Sequence, residues 1–538
     1  MRTSAREFLG QLLDTDSFIS WDRPPVTVAA TPRYRDALRK AALAAGTDES
    51  VLTGEGLLRG RRVAVIACEF GFLAGSIGVA AAERIVAAVE CATELGLPLI
   101  ASPTSGGTRM QEGTVAFVQM VKIAGAVATH KSAGHPYLVY LRNPTMGGVF
   151  ASWGSLGHIT FAEPGALIGF LGPRVYQALY GRPFPEGVQT AENLYRRGVI
   201  DGVLPIPVFR RIAHRALSVF SGVQLPDSTA AQGATALPTS VSPHEPTWRQ
   251  QPTEAATVDD SKAVEARQIR RDDATNRSGE NRVWQSVLIS RRPQRPGIRE
   301  LLRHVTQRVP LSGTGQGESD RTAVLALGRF RGQPCVVFGH DRRGQQGENT
   351  MGPAALREAR RSMALAQELR LPLVLVIDTV GAALSKEAEE RGLAPEIARC
   401  IADLVTLDTP TVSVLLGQGT GGGALALLPA DRVLAATHAW LAPLPPEGAS
   451  AIVFRDTDHA PELAAAQRIS AADLLADGVV DRIVPELPDA ADEPVDFARR
   501  MVAAIANELA TLRARPESEV LAARQVRYRR LGLPGDAG

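Results

Sequence analysis

Two glycine clusters are the residues of this sequence best placed to do chemistry without a reactive side chain. Gly147 and Gly148 follow the apolar run YLVYL and Pro144, and Gly421, Gly422 and Gly423 follow a second apolar run, VSVLL. A helix that begins at such a point presents unpaired backbone N–H groups, and glycine lets an oxygen approach them without a Cβ in the way. The clusters therefore predict two sites that stabilise developing oxyanions, although tight turns alone would also require glycine. Neither cluster has the GxxxxGK[ST] spacing of a phosphate-binding loop.

The composition restricts the class of protein. Hydrophobic residues make up 45% of the 538-residue chain and charged residues 22%, as in ordinary folded domains. The formal net charge is only +2, which gives no broad field for nucleic acid or a membrane surface. The four cysteines contain no CxxC pair, which excludes a zinc ribbon or a redox dithiol. The N-terminal residues carry charges throughout and lack the apolar core of a signal peptide, so we expect a cytoplasmic protein.

The chain is predicted to divide once. Residues 224–281 are rich in Pro, Ser, Thr, Gln and Ala and contain few large apolar side chains. Such a segment buries too little apolar surface to offset the entropy of ordering, so it predicts a flexible linker. Two domains of similar size remain, at 1–223 and 282–538.

The two domains resemble each other. The sequence LPL at 97–99 recurs at 371–373, and Pro136 recurs as Pro410 at the same offset of 274. The first glycine pair recurs in the second half at that offset too. Several ordered matches with one offset indicate an internal duplication.

Each half also repeats one order of local patterns. A β-run precedes a loop with glycines, an Ala-rich amphipathic helix (80–95 in the first half), a buried strand, a second helix and a third strand. This alternation predicts an α/β protein of repeated ββα units.

Longer motifs carry a resemblance to a known family. SPTSGGTRMQEG (102–113), PTMGGVFASWGSLG (144–157) and AEPGALIGFLGPRV (162–175) resemble the β subunit of bacterial acetyl-CoA carboxylase carboxyltransferase. The motifs that resemble its α subunit are GQGTGGGALALLPADRV (417–433), PPEGASAIVF (445–454) and AEERGLAPEIAR (388–399). The chain is thus similar to a fused β–α carboxyltransferase subunit of acyl-CoA carboxylases, of actinobacterial type. The resemblance implies two crotonase-like (ClpP/crotonase) domains.

The resemblance implies a reaction with two oxyanions. A carboxyl group moves from carboxybiotin to the α-carbon of acetyl-CoA or another acyl-CoA, giving malonyl-CoA or a homologue. Negative charge develops on the thioester oxygen, which Gly147 and Gly148 would stabilise, and on the ureido oxygen of biotin, which Gly422 and Gly423 would stabilise. No side-chain general base is required, because deprotonated biotin can accept the α-proton.

By the same resemblance, the acyl-CoA side of the site is expected to comprise Ser105, Gly106, Gly107 and Arg109. Arg109 could instead form an internal salt bridge with Glu112, three residues further along the chain.

The biotin side is expected to comprise Gly381, Ala382, Gly421 and Glu447. Glu447 could equally be a helix cap or a structural acid.

The sequence departs from the family pattern in its second half. The loop TVGAALS at 379–385 lacks the two prolines of the usual TPGAYPG, PAALREA at 353–359 replaces PEGYRKA, and GQGTGGG at 417–423 replaces GEGGSGG. The first half lacks the four-cysteine ribbon of bacterial β subunits, so no zinc is expected.

The resemblance also implies partners. The chain has no biotinylation motif of the AMKM kind, so biotin must arrive on a separate biotin carboxyl carrier protein, loaded by a biotin carboxylase. A homodimer or dimer-based oligomer is expected, with sites between a first half of one protomer and a second half of another, and without nucleic acid or membrane partners. Two alternatives stay open: a biotin-dependent decarboxylase of carboxyacyl-CoA, and a noncatalytic assembly subunit of a carboxylase complex.

Overall fold

A computed structural model describes residues 2–28, 30–220, 282–347 and 349–533. The predicted linker at 224–281 lies outside the described residues, as do the last residues of the predicted first domain.

The described residues of the first half form one main sheet with helices on both faces. Its strands are β1 (Ile19–Ser20), β2 (Val51–Leu58), β3 (Arg61–Cys68), β4 (Leu99–Ser102), β5 (Tyr137–Leu141), β6 (Thr145–Met146), β7 (Ile159–Ala162), β8 (Ile168–Gly169) and β9 (Gly202–Val203). Its helices are α1 (Ala5–Leu12), α2 (Pro32–Ala45), α3 (Val79–Glu94), α4 (Gly113–Ser132), α5 (Pro173–Tyr180), α6 (Ala191–Arg196) and α7 (Ile206–Phe220). The strand order is β1-β2-β3-β4-β5-β7-β9, and β6 pairs separately with β8.

The second half repeats this arrangement. Its strands are β10 (Gln307–Leu311), β11 (Ala323–Phe330), β12 (Gln333–His340), β13 (Leu373–Thr379), β14 (Thr411–Thr420), β15 (Arg432–Ala436), β16 (Trp440–Ala442) and β17 (Arg482–Val484). Its helices are α8 (282–290), α9 (Ile298–Leu301), α10 (Pro353–Leu369), α11 (Lys386–Glu390), α12 (Leu393–Thr406), α13 (Gly421–Leu425), α14 (Pro446–Val453), α15 (Ala460–Ala466), α16 (Ala471–Ala476), α17 (Pro494–Arg513) and α18 (Glu517–Arg530). The order is β10-β11-β12-β13-β14-β15-β17, with β16 beside β14.

The two sheets match strand for strand. In each, the first two pairings are antiparallel and the later ones are parallel. Leu99 is opposite Tyr137 in the first sheet, and Leu373 is opposite Thr411 in the second, so both positions repeat at the predicted offset of 274. The predicted α/β class is confirmed, and the second half repeats the strand order and register of the first.

The strands and helices show why the chain folds into layers. Along β3, alternate side chains enter two different cores: Ala64 and Ile66 pack toward α3 and α4, whereas Val63 and Val65 pack toward α1 and α7. A strand buried on both faces requires the continuous apolar run that the sequence has there. No helix in the described ranges is long and apolar enough to cross a membrane.

The two halves pack together through α4 and α12. Helix α4 is buried on nearly all sides because it lies between α3 of its own half and α12 of the other. A Cβ on Gly125 would lie 2.9 Å from Val405 Cγ1, so glycine permits the close approach of the two helices. At the start of α4, the Thr114 N–H donates to the carbonyl oxygen of Gln467 at 3.0 Å.

A buried carboxyl group forms a second connection between the halves. Glu389 Oε1, on α11, accepts hydrogen bonds from the Phe170 N–H at 2.8 Å and from Gln189 Nε2 at 2.7 Å. The Leu171 N–H lies 3.4 Å from the same oxygen. We call these four residues the inter-half clasp. Burial raises the pKa of Glu389 to about 7, although the hydrogen bonds from Gln189 and the two backbone groups favour the carboxylate.

The C-terminal helix is held by a buried guanidinium group. The side chain of Arg524 is fully buried and pairs with Asp431, with 2.6 Å between Nη2 and Oδ2. Arg524 also donates to the carbonyl oxygens of Leu404, Leu407 and Thr409 at 2.9, 2.6 and 2.8 Å. These bonds join α18 to the end of α12 and the loop that precedes β14.

The raised pKa of Glu389 predicts that stability falls as the pH rises. The carboxyl group titrates near 4.5 when unfolded and near 7 when folded, so its contribution is fully present below the lower value and lost through the higher one. Glu389→Gln stays neutral at every pH. We expect the free energy of unfolding of the wild type, relative to this variant, to fall by about 2–3 kcal/mol between pH 5 and pH 8 in urea denaturation. A difference that does not change with pH would contradict the raised pKa.

Loss of the buried guanidinium group is expected to destabilise the second half strongly. Arg524→Ala leaves the Asp431 carboxylate buried without its counter-charge, so we expect a loss of about 3–5 kcal/mol in the free energy of unfolding. Arg530→Ala, at an exposed position of the same helix, should change it by less than about 0.5 kcal/mol. Equal effects of the two substitutions would show that the buried pair is not what holds α18.

Candidate active site

The first glycine cluster forms a tight turn after β6. Gly147 has a φ of +69°, in the left-handed region that favours glycine. Its N–H donates to the carbonyl oxygen of Gly169 at 3.0 Å, and its own carbonyl oxygen accepts from the Ala151 N–H at 3.0 Å. The helix predicted after this glycine pair is therefore a single turn, because Ser152 takes a non-helical conformation (φ −145°, ψ −120°).

Gly148 presents the free donor of this turn. In the part of the chain that the structure describes, its N–H has no hydrogen-bond partner. A Cβ at Gly148 would lie 3.3 Å from Thr108 Oγ1 and 3.5 Å from Met120 Cγ, so the backbone is closely surrounded. An unpaired N–H in such a place is suited to an oxyanion.

The second cluster is built in the same way. Gly421, which matches Gly147 at the offset of 274, has a φ of +60°. It begins α13, and Gly422 and Gly423 follow as the next helical residues. N–H groups in the first turn of a helix have no carbonyl partner within it. The second half thus also offers backbone donors immediately after a left-handed glycine.

The loops beside the two turns are equivalent as well. Ser105 Oγ accepts from the Gly107 N–H at 3.0 Å, and Thr379 Oγ1 accepts from the Gly381 N–H at 3.1 Å. The two glycines have φ values of +128° and +138°. A side-chain hydroxyl therefore fixes the same turn in both halves.

The residues predicted for the acyl-CoA side lie together. The Met146 N–H donates to the carbonyl oxygen of Ser105 at 2.9 Å, and the Gly106 N–H donates to that of Ala74 at 2.8 Å. A Cβ on Gly147 would lie 3.4 Å from the Cα of Gly107. The loop thus packs directly against the first glycine turn.

Arg109 anchors the end of this loop through a buried ion pair. Its guanidinium group binds Glu49 through two hydrogen bonds, 2.9 Å from Nη1 and 2.5 Å from Nη2, and its side chain is fully buried. The predicted alternative partner, Glu112, is 3.6 Å away. The backbone N–H of Arg109 donates to the carbonyl oxygen of Ile77 at 3.1 Å.

The residues predicted for the biotin side lie against the second turn. A Cβ on Gly423 would be 3.3 Å from the nitrogen of Ala382 and 3.5 Å from the carbonyl carbon of Gly381. Gln345 supports this loop by accepting a hydrogen bond from Thr379 Oγ1 at 2.8 Å. This hydrogen bond holds a loop that lacks the two prolines of the family pattern.

Glu447 lies further from the turn, at the start of α14. It pairs with Arg291 at 2.5 and 3.0 Å, and Arg291 Nε donates to Gln418 Oε1 at 3.2 Å. Burial alone would raise the pKa of Glu447, but Arg291 holds it below its usual value. Glu447 is therefore joined to β14 through Arg291 and Gln418.

One segment contacts both glycine turns, and the sequence analysis gave it no site role although it lies in the motif at 162–175. Gly169 accepts the hydrogen bond from Gly147, and the ring of the next residue, Phe170, packs against Gly422. Glu389 holds this segment from the second half. No spacing signal marks Phe170 or Glu389, because their contacts join positions more than 200 residues apart.

No group of three or more His, Cys, Asp or Glu residues that could hold a metal ion occurs among the residues that the structure describes.

Comparisons with known proteins show the family of this chain. The family model "Carboxyl transferase domain" matches residues 2–520. A probable biotin-dependent acyl-coenzyme A carboxylase beta3 subunit of Mycobacterium tuberculosis is 61% identical over 526 residues, 98% of each chain. The acetyl-coenzyme A carboxylase carboxyl transferase subunits beta/alpha of Salinispora tropica are 35% identical over 548 residues, 99% of this chain and 91% of that protein.

These matches span almost the whole chain and include both glycine turns. The prediction that the chain is a carboxyltransferase is confirmed. The chain belongs to the carboxyl transferase family.

Proposed function

We propose that this chain is the carboxyltransferase subunit of a biotin-dependent acyl-CoA carboxylase. It transfers a carboxyl group from carboxybiotin to acetyl-CoA or another acyl-CoA, giving malonyl-CoA or a homologue. The observation that carries the proposal is the pair of equivalent glycine turns, one from each half, in contact with one segment, Gly169 and Phe170. A transfer between two carbonyl compounds needs such a pair, because each compound develops its own oxyanion.

The backbone donors have distinct roles in this proposal. The Gly148 N–H donates to the thioester oxygen, and the Gly422 and Gly423 N–H groups donate to the ureido oxygen. The proposal limits Gly147 to shaping the turn, since its N–H already donates to Gly169. Carboxybiotin supplies the carboxyl group and, after its release, the base for the α-proton. Donors fixed by the fold need no reorganisation as charge develops.

The remaining predicted residues position the reactants. The acyl-CoA would lie beside the first turn, against a wall formed by Ser105, Gly106 and Gly107. Arg109 is assigned to holding that wall through Glu49, because its buried guanidinium group does not face an open surface.

On the biotin side, Gly381 and Ala382 line the second turn and Gly421 shapes it. Glu447 acts at a distance, through Arg291 and Gln418.

We further propose the partners, the location and the oligomeric state of the enzyme. Biotin arrives on a carrier protein loaded by a biotin carboxylase, and the enzyme is a cytoplasmic, dimer-based oligomer. In the described chain the two halves meet within one protomer. An exchange of halves between two protomers would preserve each of these contacts, so the proposal is compatible with sites between protomers.

The reverse reaction tests the function directly. Purified chain with free biocytin and malonyl-CoA or methylmalonyl-CoA should release acetyl-CoA or propionyl-CoA, and the release should require biocytin. Release without biocytin would show that biotin is not the carboxyl acceptor and would contradict the proposal. Binding of the CoA esters without turnover would indicate the assembly subunit.

The N–H of Gly148 is the most direct target. Gly148→Pro removes this donor, and we expect kcat to fall by about 10²-fold or more. Gly148→Ala keeps the N–H and adds a Cβ with 3.3 Å to its nearest neighbour, so it should lose much less. Wild-type turnover by a folded Gly148→Pro protein, verified by circular dichroism, would refute the assignment of this donor.

A further inference from the structure

An aromatic ring stands beside the second glycine turn but belongs to the first half. A Cβ on Gly422 would lie 2.9 Å from two ring carbons of Phe170. The ring is only partly buried, although it packs against a buried segment. The residue before it, Gly169, accepts the hydrogen bond from Gly147. Two consecutive residues therefore contact the turns of both halves.

The backbone of this segment is fixed from both halves. Three N–H donors of the first half, from Phe170, Leu171 and Gln189, converge on one oxygen of Glu389 in the second half. Gln189 Nε2 donates in addition to the carbonyl oxygen of Leu171 at 2.7 Å. Glu389 is 4% exposed, so water does not replace these bonds without opening the interface.

Apolar packing surrounds the same segment. Leu171 joins a buried cluster with Tyr176 and Phe184 of the first half, and Leu384 and Leu444 of the second half pack against it. The Phe170 ring thus projects from a backbone that both hydrogen bonds and apolar contacts hold in place.

We propose that Phe170 contacts the biotin ring during carboxyl transfer, and that Glu389 is the positioning residue that holds Phe170 in place from the opposite half. This inference rests on the proposed function. An aromatic face gives the flat ureido ring an apolar surface and excludes water from the neighbouring N–H donors. Because the ring and the turn come from different halves, the biotin side is complete only where the halves dock through the clasp.

The clasp is tested without catalysis, by hydrogen exchange of the full chain followed by mass spectrometry. Glu389→Leu removes the acceptor, so amides in peptides that contain Phe170 and Leu171 should exchange about tenfold faster or more. Glu389→Gln keeps an oxygen acceptor and should retain most of the protection. The matched control is Glu390→Leu: Glu390 binds Arg197 and Asn193 of the first half, at 2.8 and 3.1 Å, but does not bind the segment. Unchanged exchange in Glu389→Leu would refute the clasp.

The role of Phe170 is tested by the reverse reaction with biocytin. Phe170→Ala removes the ring but keeps the backbone contacts, so the KM for biocytin should rise about tenfold while the KM for the carboxyacyl-CoA changes less than about threefold. Glu389→Leu should raise the KM for biocytin similarly, and Glu389→Gln should restore it. A loss of kcat alone, with both KM values unchanged, would show that Glu389 only maintains the folded fraction.

The outcomes separate this inference from the proposed function. If the wild type transfers no carboxyl group to biocytin, the proposed function fails, and the contact of Phe170 with biotin fails with it. The exchange experiment still decides whether Glu389 holds the segment. If the wild type is active and Phe170→Ala leaves the KM for biocytin unchanged, the function stands and the role of Phe170 is refuted.

Discussion

The packing of α4 against α12 is the constraint on which the site depends. Each helix follows the loop at the carboxyl end of its strand, β4 or β13, so the contact between the helices brings these two loops toward each other. In parallel sheets the functional loops lie at that edge. Gly125 permits the close approach, and the bond from Thr114 to Gln467 fixes the start of α4. A shift of one helix along the other would change the separation of the glycine turns.

The sequence was sufficient to predict the repeated architecture. The offset of 274, seen first in short motifs such as LPL at 97–99, is also the offset of the strand registers. Buried parallel strands leave a strong signal, since both faces require apolar residues. Gly107 and Gly381 were assigned to the site by the family resemblance, and both have the positive φ values that favour glycine.

The contacts between the halves could not be predicted in this way. Glu389 lies in an acidic stretch, AEERG, whose composition is typical of an exposed helix end. Its side chain is nevertheless buried, because its hydrogen-bond donors come from the other half. Arg109 was expected to face the substrate or Glu112, and its principal partner is Glu49, 60 residues away. Long-range partners leave no periodicity in the sequence. The helix predicted to begin at Gly147 and Gly148 is a single turn, and glycine and small residues are compatible with both a turn and a helix.

The internal duplication explains why the chain has two glycine turns with adjoining loops. Carboxyl transfer requires that the two turns bind different reactants. The turns themselves are nearly identical: left-handed Gly147 and Gly421, each followed by a donor. The groups that support the two loops differ. A buried Arg109–Glu49 pair holds the first loop, whereas the amide of Gln345 holds the second. Loss of one partner of a buried ion pair leaves an uncompensated buried charge, whereas loss of an amide does not. The ring of Phe170, from the first half, packs against the second glycine turn. This contact distinguishes the second turn from the first in a way that duplication alone does not.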